Sequence, residues 1–294
     1  MAKRSDYILG TVIVLSVLIF LVIGIYMFWV IVGKGGVALT PSGDRVALVE
    51  MFGPIHSSET VVRQLKKYKE NDSVPAIVLR IDSPGGSVAS SQEIYQEVGR
   101  VREAGKIVVA SMANVAASGA YYISCATDTI VANPGTLTGS IGVIFEFPNT
   151  EELFKKIGIR FEVVKSGKFK DIGSPVREMT SEERELLQEM IDDTYNQFVD
   201  VVATNRGLDR EDVLDIADGR VFTARQGKEY GLVDILGDYE DAIAVAAEMA
   251  GIKGKPKTIR EWRKRITIWD VILDRIGGAV SQSNLMPSLE YRFR

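Results

Sequence analysis

The sequence predicts an α/β fold built from βαβ units and preceded by one transmembrane helix. Residues 8–32 contain no charged side chain, and roughly 20 apolar residues are enough for a helix to cross a bilayer. Predicted strands and helices alternate from residue 46 onward, which is typical of βαβ units. The apolar runs at 76–81 and 107–110 do not alternate in polarity, so their strands are expected to be covered on both faces.

Local patterns of apolar, capping and turn residues predict the individual helices and strands. Thr180 and Glu183 have the spacing of a capping box, and apolar residues then recur at helical intervals, so the longest helix is predicted directly after Thr180. The predicted elements are strand 46–53, helix 59–71, strand 76–82, helix 88–104, strand 106–112, a helix that opens near Ala117, strand 128–133, and helices over 181–205, 223–230 and 238–250.

The apolar N-terminal run sets the expected organisation of the chain. A cleaved signal peptide has an apolar region of only about 7–15 residues, so we expect a retained anchor. Lys3 and Arg4 precede the run and Lys34 follows it, which favours a cytoplasmic N-terminus and an extracytoplasmic remainder at the cell membrane. The predicted parts are a cytoplasmic N-terminus (1–7), an anchor (8–32), a linker (33–44), one folded domain (45–252) and a basic tail (253–294).

The predicted tail differs electrostatically from the rest of the chain. It carries ten Lys or Arg against four Asp or Glu, a net charge of +6, while the whole chain carries −4 and the part before the tail therefore −10. Its mixture of basic and large apolar residues suits a membrane surface or an acidic partner. A final packed helix with a solvated basic face is an equally good interpretation.

Two glycine-bearing junctions between a strand and a helix could carry chemistry. Paired glycines in the segment 82–87 would expose backbone N–H groups that can hold a developing negative charge. The alternative is a plain turn in which Ser87 caps the next helix. Ser118 lies between Ala117 and Gly119 after a predicted strand, an open position for a nucleophile. The alternative there is a close helix–sheet contact between small residues.

A lysine run and the scarcity of histidine and cysteine bear on the choice of base. Three lysines lie within residues 165–170; such runs are usually solvated, and a lysine becomes a base near neutral pH only where burial lowers its pKa. His56 and Cys125 are the sole histidine and cysteine. A Ser-His-Asp site would depend on His56, which stands in a polar turn, and a metal site would lack nitrogen and sulfur ligands. Cys125 is expected to be buried.

Five ordered segments resemble the signal peptide peptidase A family. The similarity covers about residues 46–252. The matching segments are IDSPGGS (81–87), AASGAYYIS (116–124), TLTGSIGV (136–143), KSGKFKDIGSPVREMT (165–180) and DGRVFTARQGKEYGLVD (218–234).

The resemblance implies a fold and a set of site residues. The implied fold is the Clp protease/crotonase-like spiral of ββα units. The family's nucleophile falls on Ser118 and its general-base lysine on Lys170, so that Lys165 and Lys168 are bystanders. Ser140 would help to hold the lysine, and Gly85 and Gly119 would supply the oxyanion-hole donors.

The resemblance also implies an activity. It is that of a membrane-anchored serine endopeptidase that degrades signal-peptide remnants and other hydrophobic or unfolded peptides through a Ser-Lys dyad and an acyl-enzyme. Short members of the family form homo-oligomeric rings in which neighbouring subunits can share a site. The expected partners are therefore peptide substrates, the lipid bilayer and further copies of the chain, with no cofactor, no metal and no nucleic acid.

Three other functions stay open at this stage. A related membrane protease that cleaves a stomatin-like partner has the same dyad, so only a substrate profile separates it. A crotonase-like binder of acyl thioesters would use the same backbone donors without a dyad. A non-catalytic, ring-forming membrane scaffold would need only the anchor and the tail. From the opposite charges of tail and body we also hypothesise that the tail folds back over the domain and controls access to the site.

Overall fold

The computed structural model describes residues 18–23, 44–261 and 289–292, in a chain that divides into two units between Pro41 and Ser42. In the first unit residues 18–23 form a helix, α1, with exposed apolar side chains. The rest of the predicted anchor and nearly all of the predicted linker lie outside the described residues. Within the described ranges, no helix has both the length and the hydropathy needed to cross a membrane.

The second unit alternates strands and helices as the sequence predicts. Its described strands are β1 (Arg45–Phe52), β2 (Ala76–Ser83), β3 (Gly85–Ser87), β4 (Ile107–Ala117), β5 (Thr129–Ala132), β6 (Leu137–Gly139), β7 (Ile144–Phe145), β8 (Val221–Thr223), β9 (Ile235–Leu236), β10 (Lys257–Arg260) and β11 (Leu289–Arg292). Its described helices are α2 (Glu59–Lys69), α3 (Val88–Glu103), α4 (Gly119–Ser124), α5 (Glu151–Lys156), α6 (Ser181–Arg206), α7 (Arg210–Ile216), α8 (Ala224–Glu229) and α9 (Tyr239–Met249).

The strands form a large parallel sheet and a small antiparallel one. The large sheet has the order β10-β1-β2-β4-β5-β9, and all neighbours in that order are parallel. β6 continues it beside the end of β4 and pairs antiparallel with β8. The small sheet has the order β3-β11-β7, with both pairs antiparallel. The fold is therefore mixed α/β with a mostly parallel sheet, consistent with a Clp protease-like fold.

Both faces of the large sheet are buried, which confirms the interpretation of the unalternating apolar runs. Along β2, Ile77, Leu79 and Ile81 point into one apolar cluster, which includes residues of α2, α3 and α6. Ala76 and Val78 point into a second cluster, on the side of α9. Full burial of one such large aliphatic side chain contributes about 1.5–3 kcal/mol to stability, so both clusters stabilise the sheet.

The long helix α6 begins and ends where local chemistry requires. Glu183 N–H donates to Thr180 Oγ1 (3.2 Å), and the Glu183 carboxylate accepts from Thr180 N–H (2.9 Å). This reciprocal pair confirms the predicted capping box. The helix ends at Gly207, whose φ of 64° is left-handed, as is common after a last helical turn.

The helix that was predicted to open near Ala117 begins later. β4 runs on to Ala117 because Val115–Ala117 pair with Leu137–Gly139 of β6, after a shift of register in the β2–β4 ladder. α4 then begins at Gly119. The prediction of a helix near Ala117 is therefore confirmed with a start two residues later, which places Ser118 alone between strand and helix.

Two described parts of the predicted tail form strands within the second unit. β10 adds an edge strand in parallel with β1. Glu261, directly after β10, makes ion pairs with Arg63 (2.8 Å) and Lys67 (3.0 Å) of α2. β11 is the middle strand of the small sheet. Residues 262–288, for which contact with a membrane surface or an acidic partner and a final packed helix were both considered, lie outside the described residues.

Candidate active site

Ser118 occupies a strained turn between β4 and α4. Its φ is 55° and its ψ is −121°, a conformation that costs a non-glycine residue about 1–3 kcal/mol. Its N–H donates to the Gly139 carbonyl oxygen at 2.8 Å, which holds the turn against β6. The residue is 1% exposed, and its Oγ has no hydrogen-bond partner among the described residues. A serine on such a strand-to-helix turn has the geometry of a nucleophile elbow.

The position after Ser118 has room only for glycine. A Cβ atom on Gly119 would lie 2.6 Å from Ser91 Oγ and 3.1 Å from Tyr291 Cβ. Gly119 opens α4, so its N–H belongs to the first helical turn and has no partner within the helix. This amide therefore remains available beside the Ser118 hydroxyl.

The backbone N–H of Gly85, the second candidate oxyanion-hole donor, lies near Gly119 and the Ser118 turn. Its φ is 95°, and a Cβ atom there would overlap the carbonyl oxygen of Tyr291 and lie 2.8 Å from Gly119 N. Its N–H donates to Ser83 Oγ at 3.2 Å. Asp82 fixes the turn to β4, since its carboxylate accepts from Val115 N–H at 3.1 Å. The structure thus brings together three of the predicted site residues.

Ser140 lies next to the Ser118 turn. It follows β6, whose last residue pairs with the last residue of β4, and its φ of 50° is also positive. Its N–H donates to the Arg220 carbonyl oxygen at 2.8 Å, and the residue is buried. It lies on the wall of a cavity of about 570 Å³ that Ile144, Asp192 and Tyr195 also line.

Lys170 is not brought to Ser118 within the chain. It is exposed, in a turn where its N–H donates to the Gly167 carbonyl oxygen at 3.2 Å. Over the ranges that the structure describes, its amine makes no hydrogen bond or ion pair. The other two lysines of the run are paired, Lys165 with Asp171 and Lys168 with Glu182. Lys170 is thus the lysine of this run whose amine is left for another partner.

Arg177 holds the turn that carries Lys170. Arg177 binds Asp171, the neighbour of Lys170 in sequence, at 2.9 Å and Glu183 at 2.5 Å. The hydrogen bond from Arg177 lowers the pKa of the buried Glu183 carboxyl from 4.5 to about 2. This network joins the lysine turn to the start of α6, and motif matching alone did not point to Arg177.

His56 and Cys125 have positions that agree with incidental and structural roles. His56 is exposed, and its carbonyl oxygen accepts a long hydrogen bond from Ser90 Oγ (3.4 Å). Cys125 is 1% exposed, and burial raises the pKa of its thiol to about 12, so the thiolate needed for nucleophilic chemistry is disfavoured. Among the described side chains, no group of three or more His, Cys, Asp or Glu could hold a metal ion.

Tyr291 is a site residue that our sequence analysis missed. It is fully buried, and its carbonyl oxygen lies against Gly85. A signal was present, because the last residues of the chain alternate apolar Leu289, Tyr291 and Phe293 with charged side chains, the period of a half-buried strand. The alternation is short, and the net charge of +6 in the same tail is equally typical of a segment that contacts a membrane surface or an acidic partner.

Comparison with known proteins identifies the family. Residues 100–253 match Peptidase family S49 and residues 47–134 match Clp protease, and Ser118 lies within both ranges. A protein of Synechocystis sp. that carries a protease name is 48% identical over 215 residues, or 72% of this chain and 77% of that protein. Protease 4 of Salmonella typhi is 39% identical over 248 residues, or 81% of this chain and 40% of that protein.

A plant relative is also a named serine protease, in agreement with the match to Peptidase family S49. The chloroplastic serine protease SPPA of Arabidopsis thaliana is 33% identical over 256 residues, or 84% of this chain and 37% of that protein. The chain therefore spans less than half the length of the Salmonella and Arabidopsis relatives. The resemblance to the signal peptide peptidase A family is confirmed: the chain belongs to peptidase family S49 and is a serine peptidase.

Proposed function

We propose that this chain is a membrane-anchored serine endopeptidase that hydrolyses signal-peptide remnants and other hydrophobic or unfolded peptides through Ser118 and Lys170. The observation that carries the proposal is the Ser118 turn. A buried hydroxyl without a partner stands on a strained junction, and two close glycines, Gly85 and Gly119, flank it. A polar group that is buried without a hydrogen bond is costly, and such a cost is typical of a functional site.

The proposed mechanism is acyl transfer. The neutral amine of Lys170 accepts the proton of the Ser118 hydroxyl as Oγ bonds to the peptide carbonyl carbon. The N–H groups of Gly85 and Gly119 donate to the carbonyl oxygen as it becomes negative, and one such donor contributes roughly 10²–10³-fold to the rate. The C–N bond then breaks and the Lys170 ammonium protonates the leaving amine. Water, deprotonated by the same amine, hydrolyses the acyl-enzyme.

Lys170 reaches a serine, in this proposal, by crossing to a neighbouring subunit. Residues 146–180, here the Lys170 arm, expose several large apolar side chains, among them a fully exposed Val164. Contiguous exposed apolar surface marks an interaction site, and a second copy of the chain in a closed ring would cover it. The other exposed apolar side chains of the arm are Leu153, Ile157, Ile159, Phe161 and Val163.

Burial in such a contact would also prepare the base. An amine enclosed between two subunits loses hydration of its charged form, which favours the neutral form that general-base catalysis needs. Ser140, beside the Ser118 turn and on the wall of the cavity, would accept a hydrogen bond from the incoming amine. The oxyanion donors belong to the subunit that carries the nucleophile.

The uncharged run at 8–32 supports the membrane part of the proposal. It would anchor the chain with its N-terminus in the cytoplasm and hold the catalytic domain, residues 45–252, on the other side, where hydrophobic fragments leave the bilayer. The ββα spiral and the division into anchor, linker, domain and tail belong to the same proposal.

The test is hydrolysis of an unfolded protein by the full chain in detergent. Ser118→Ala and Lys170→Ala should each lower kcat/KM by at least about 10³-fold, as removal of either member of a nucleophile–base pair does. Lys168→Ala is the matched control, which should stay within about threefold of wild type because exposed ion pairs contribute little. An active Lys170→Ala enzyme would show that the base is misassigned.

Mixed oligomers test the shared site. Ser118→Ala and Lys170→Ala chains are co-expressed, and each is also expressed alone. A shared site predicts that the mixture regains activity, because some interfaces then join an intact serine to an intact lysine. Mixed oligomers of normal size that stay inactive would place both residues of one site in the same chain.

A further inference from the structure

The two proposed oxyanion donors differ in what they bind within the described chain. The N–H of Gly119 lies in the first turn of α4 and has no partner within the helix. The N–H of Gly85 donates to the hydroxyl oxygen of Ser83 at 3.2 Å. Each backbone N–H has a single proton to donate. An oxyanion can therefore use the Gly85 donor in full only after Ser83 has given it up.

Ser83 is held in this position by the large sheet. It is the last residue of β2, is fully buried, and pairs with Ala116 of β4, two residues before Ser118. A serine hydroxyl commonly bonds a backbone group two residues further along the chain. A buried N–H without a partner is costly. The Ser83 hydroxyl therefore satisfies the Gly85 N–H while no substrate is present.

The backbone on both sides of this N–H is fixed by a neighbouring loop. The Gly85 carbonyl oxygen accepts from Ile55 N–H at 2.9 Å, and Ser87 N–H donates to the Ile55 carbonyl oxygen at 2.8 Å. Gly53 N–H donates to the Asp82 carbonyl oxygen at 2.9 Å. Gly85 itself has no Cβ atom that would resist a rotation of its peptide plane. A change of acceptor at this N–H can thus stay local and leave β3 in place.

Resting on the function proposed above, we propose that Ser83 is a positioning residue that holds the Gly85 N–H in the free enzyme and releases it to the substrate oxygen as that oxygen becomes negative. The proton stays on the Gly85 nitrogen, and only its acceptor changes, from a neutral hydroxyl to an oxyanion. A hydrogen bond to a charged acceptor is roughly twice as strong as one to a neutral acceptor, so the exchange is favoured in the transition state. A bond that is present in the ground state and lost in the transition state raises the barrier. The Ser83 hydroxyl therefore stabilises the turn and slows the reaction.

Ser83→Ala in the full chain, in detergent, tests the proposal. With an internally quenched peptide substrate, kcat should rise by about 2- to 10-fold at unchanged KM, the factor that corresponds to one ordinary hydrogen bond. A peptide aldehyde, which forms a hemiacetal with Ser118 and so resembles the tetrahedral intermediate, should inhibit the variant more tightly by the same factor. A serine with a purely structural role would not give a faster enzyme when its hydroxyl is removed.

Ser124→Ala is the matched control. Ser124 is also fully buried, and its hydroxyl donates to the Ala120 carbonyl oxygen at 2.8 Å within α4. Its loss should lower the thermal unfolding temperature about as much as Ser83→Ala does, without raising kcat. Ser83→Cys is a second variant of the same position. Sulfur is a weak acceptor, so kcat of Ser83→Cys should lie between those of wild type and Ser83→Ala, and this variant decides the question if Ser83→Ala does not fold.

Two results would overturn the role of Ser83 and leave the proposed function intact. One is an active wild type with a Ser83→Ala variant whose kcat is no higher than that of Ser124→Ala. The other is an active wild type with neither Ser83 variant able to fold, since the hydroxyl would then be a fixed part of the turn. A wild type that neither cleaves peptides nor binds the aldehyde would instead refute the proposed function, and the role of Ser83 with it.

Discussion

Gly85→Ala tests the proposed oxyanion-hole donors, Gly85 and Gly119, with a single added methyl group. In the structure that methyl would overlap the Tyr291 carbonyl oxygen and lie 2.8 Å from Gly119 N, well inside van der Waals contact. It would therefore push apart the two amides that are proposed to receive the oxyanion. Loss of one such donor lowers kcat by about 10²–10³-fold, or 2.7–4 kcal/mol, and we expect a loss in that range.

A matched control separates this effect from backbone strain. Gly105 has a φ of 81°, close to the 95° of Gly85, but a Cβ atom there would meet nothing within 4 Å. Gly105→Ala should therefore cost about 1–2 kcal/mol of folding free energy through its left-handed backbone and leave kcat unchanged. Both variants are compared by urea unfolding and by initial rates on an unfolded protein substrate.

The rates of these two variants decide the matter. If Gly85→Ala keeps kcat within a few-fold of Gly105→Ala, the Gly85 amide does not stabilise the transition state and the proposed oxyanion hole is wrong. If both variants lose kcat equally, the loss reflects general destabilisation. A selective loss in Gly85→Ala, with similar unfolding free energies for both, supports the turn as part of the site.

Three further predictions concern the start of α6. Thr180→Ala removes the hydroxyl that accepts from Glu183 N–H and should cost about 1 kcal/mol in urea unfolding, whereas Thr180→Ser should restore most of that stability. Arg177→Met leaves the Glu183 carboxylate buried without its partner and should cost roughly 3 kcal/mol. Because the folded pKa of Glu183 lies near 2, below its ordinary 4.5, its stabilisation is present above pH 4.5 and is lost as the pH falls towards 2. Acid titrations of wild type and Glu183→Gln should diverge in that window.

The long elements could be predicted from sequence, and most of the short ones could not. β1, β2 and the helices α3 and α6 have apolar patterns long enough to show a period, and they form near the expected bounds. β7 and β9 have two residues each, too few for any period to be read. These short strands exist only because longer neighbours offer them an edge.

The residues of the candidate site also separate into those that could be located from sequence and those that could not. Ser118, Gly119 and Gly85 lie at the ends of long strands, so the parallel order of those strands brings them together, and the motif matches could locate them. The position of Lys170 in a working site could not be predicted from one chain if a second subunit supplies it. Tyr291 could not be placed because its contacts join the end of the chain to segments about 90 to 200 residues earlier in the sequence.

Backbone strain at Ser118 and Ser140 explains why the distant segment 218–234 is one of the five segments that resemble the family. Among the described residues, Ser118 and Ser140 are the non-glycine residues with positive φ, and each such residue costs about 1–3 kcal/mol unless its surroundings impose it. Ser118 N–H is held by the Gly139 carbonyl oxygen and Ser140 N–H by that of Arg220, each at 2.8 Å. β4, β6 and β8 form one ladder through these bonds. The segment 218–234 is therefore linked to Ser118 through backbone hydrogen bonds, so a change that loosens β8 should relax the Ser118 turn without contacting it.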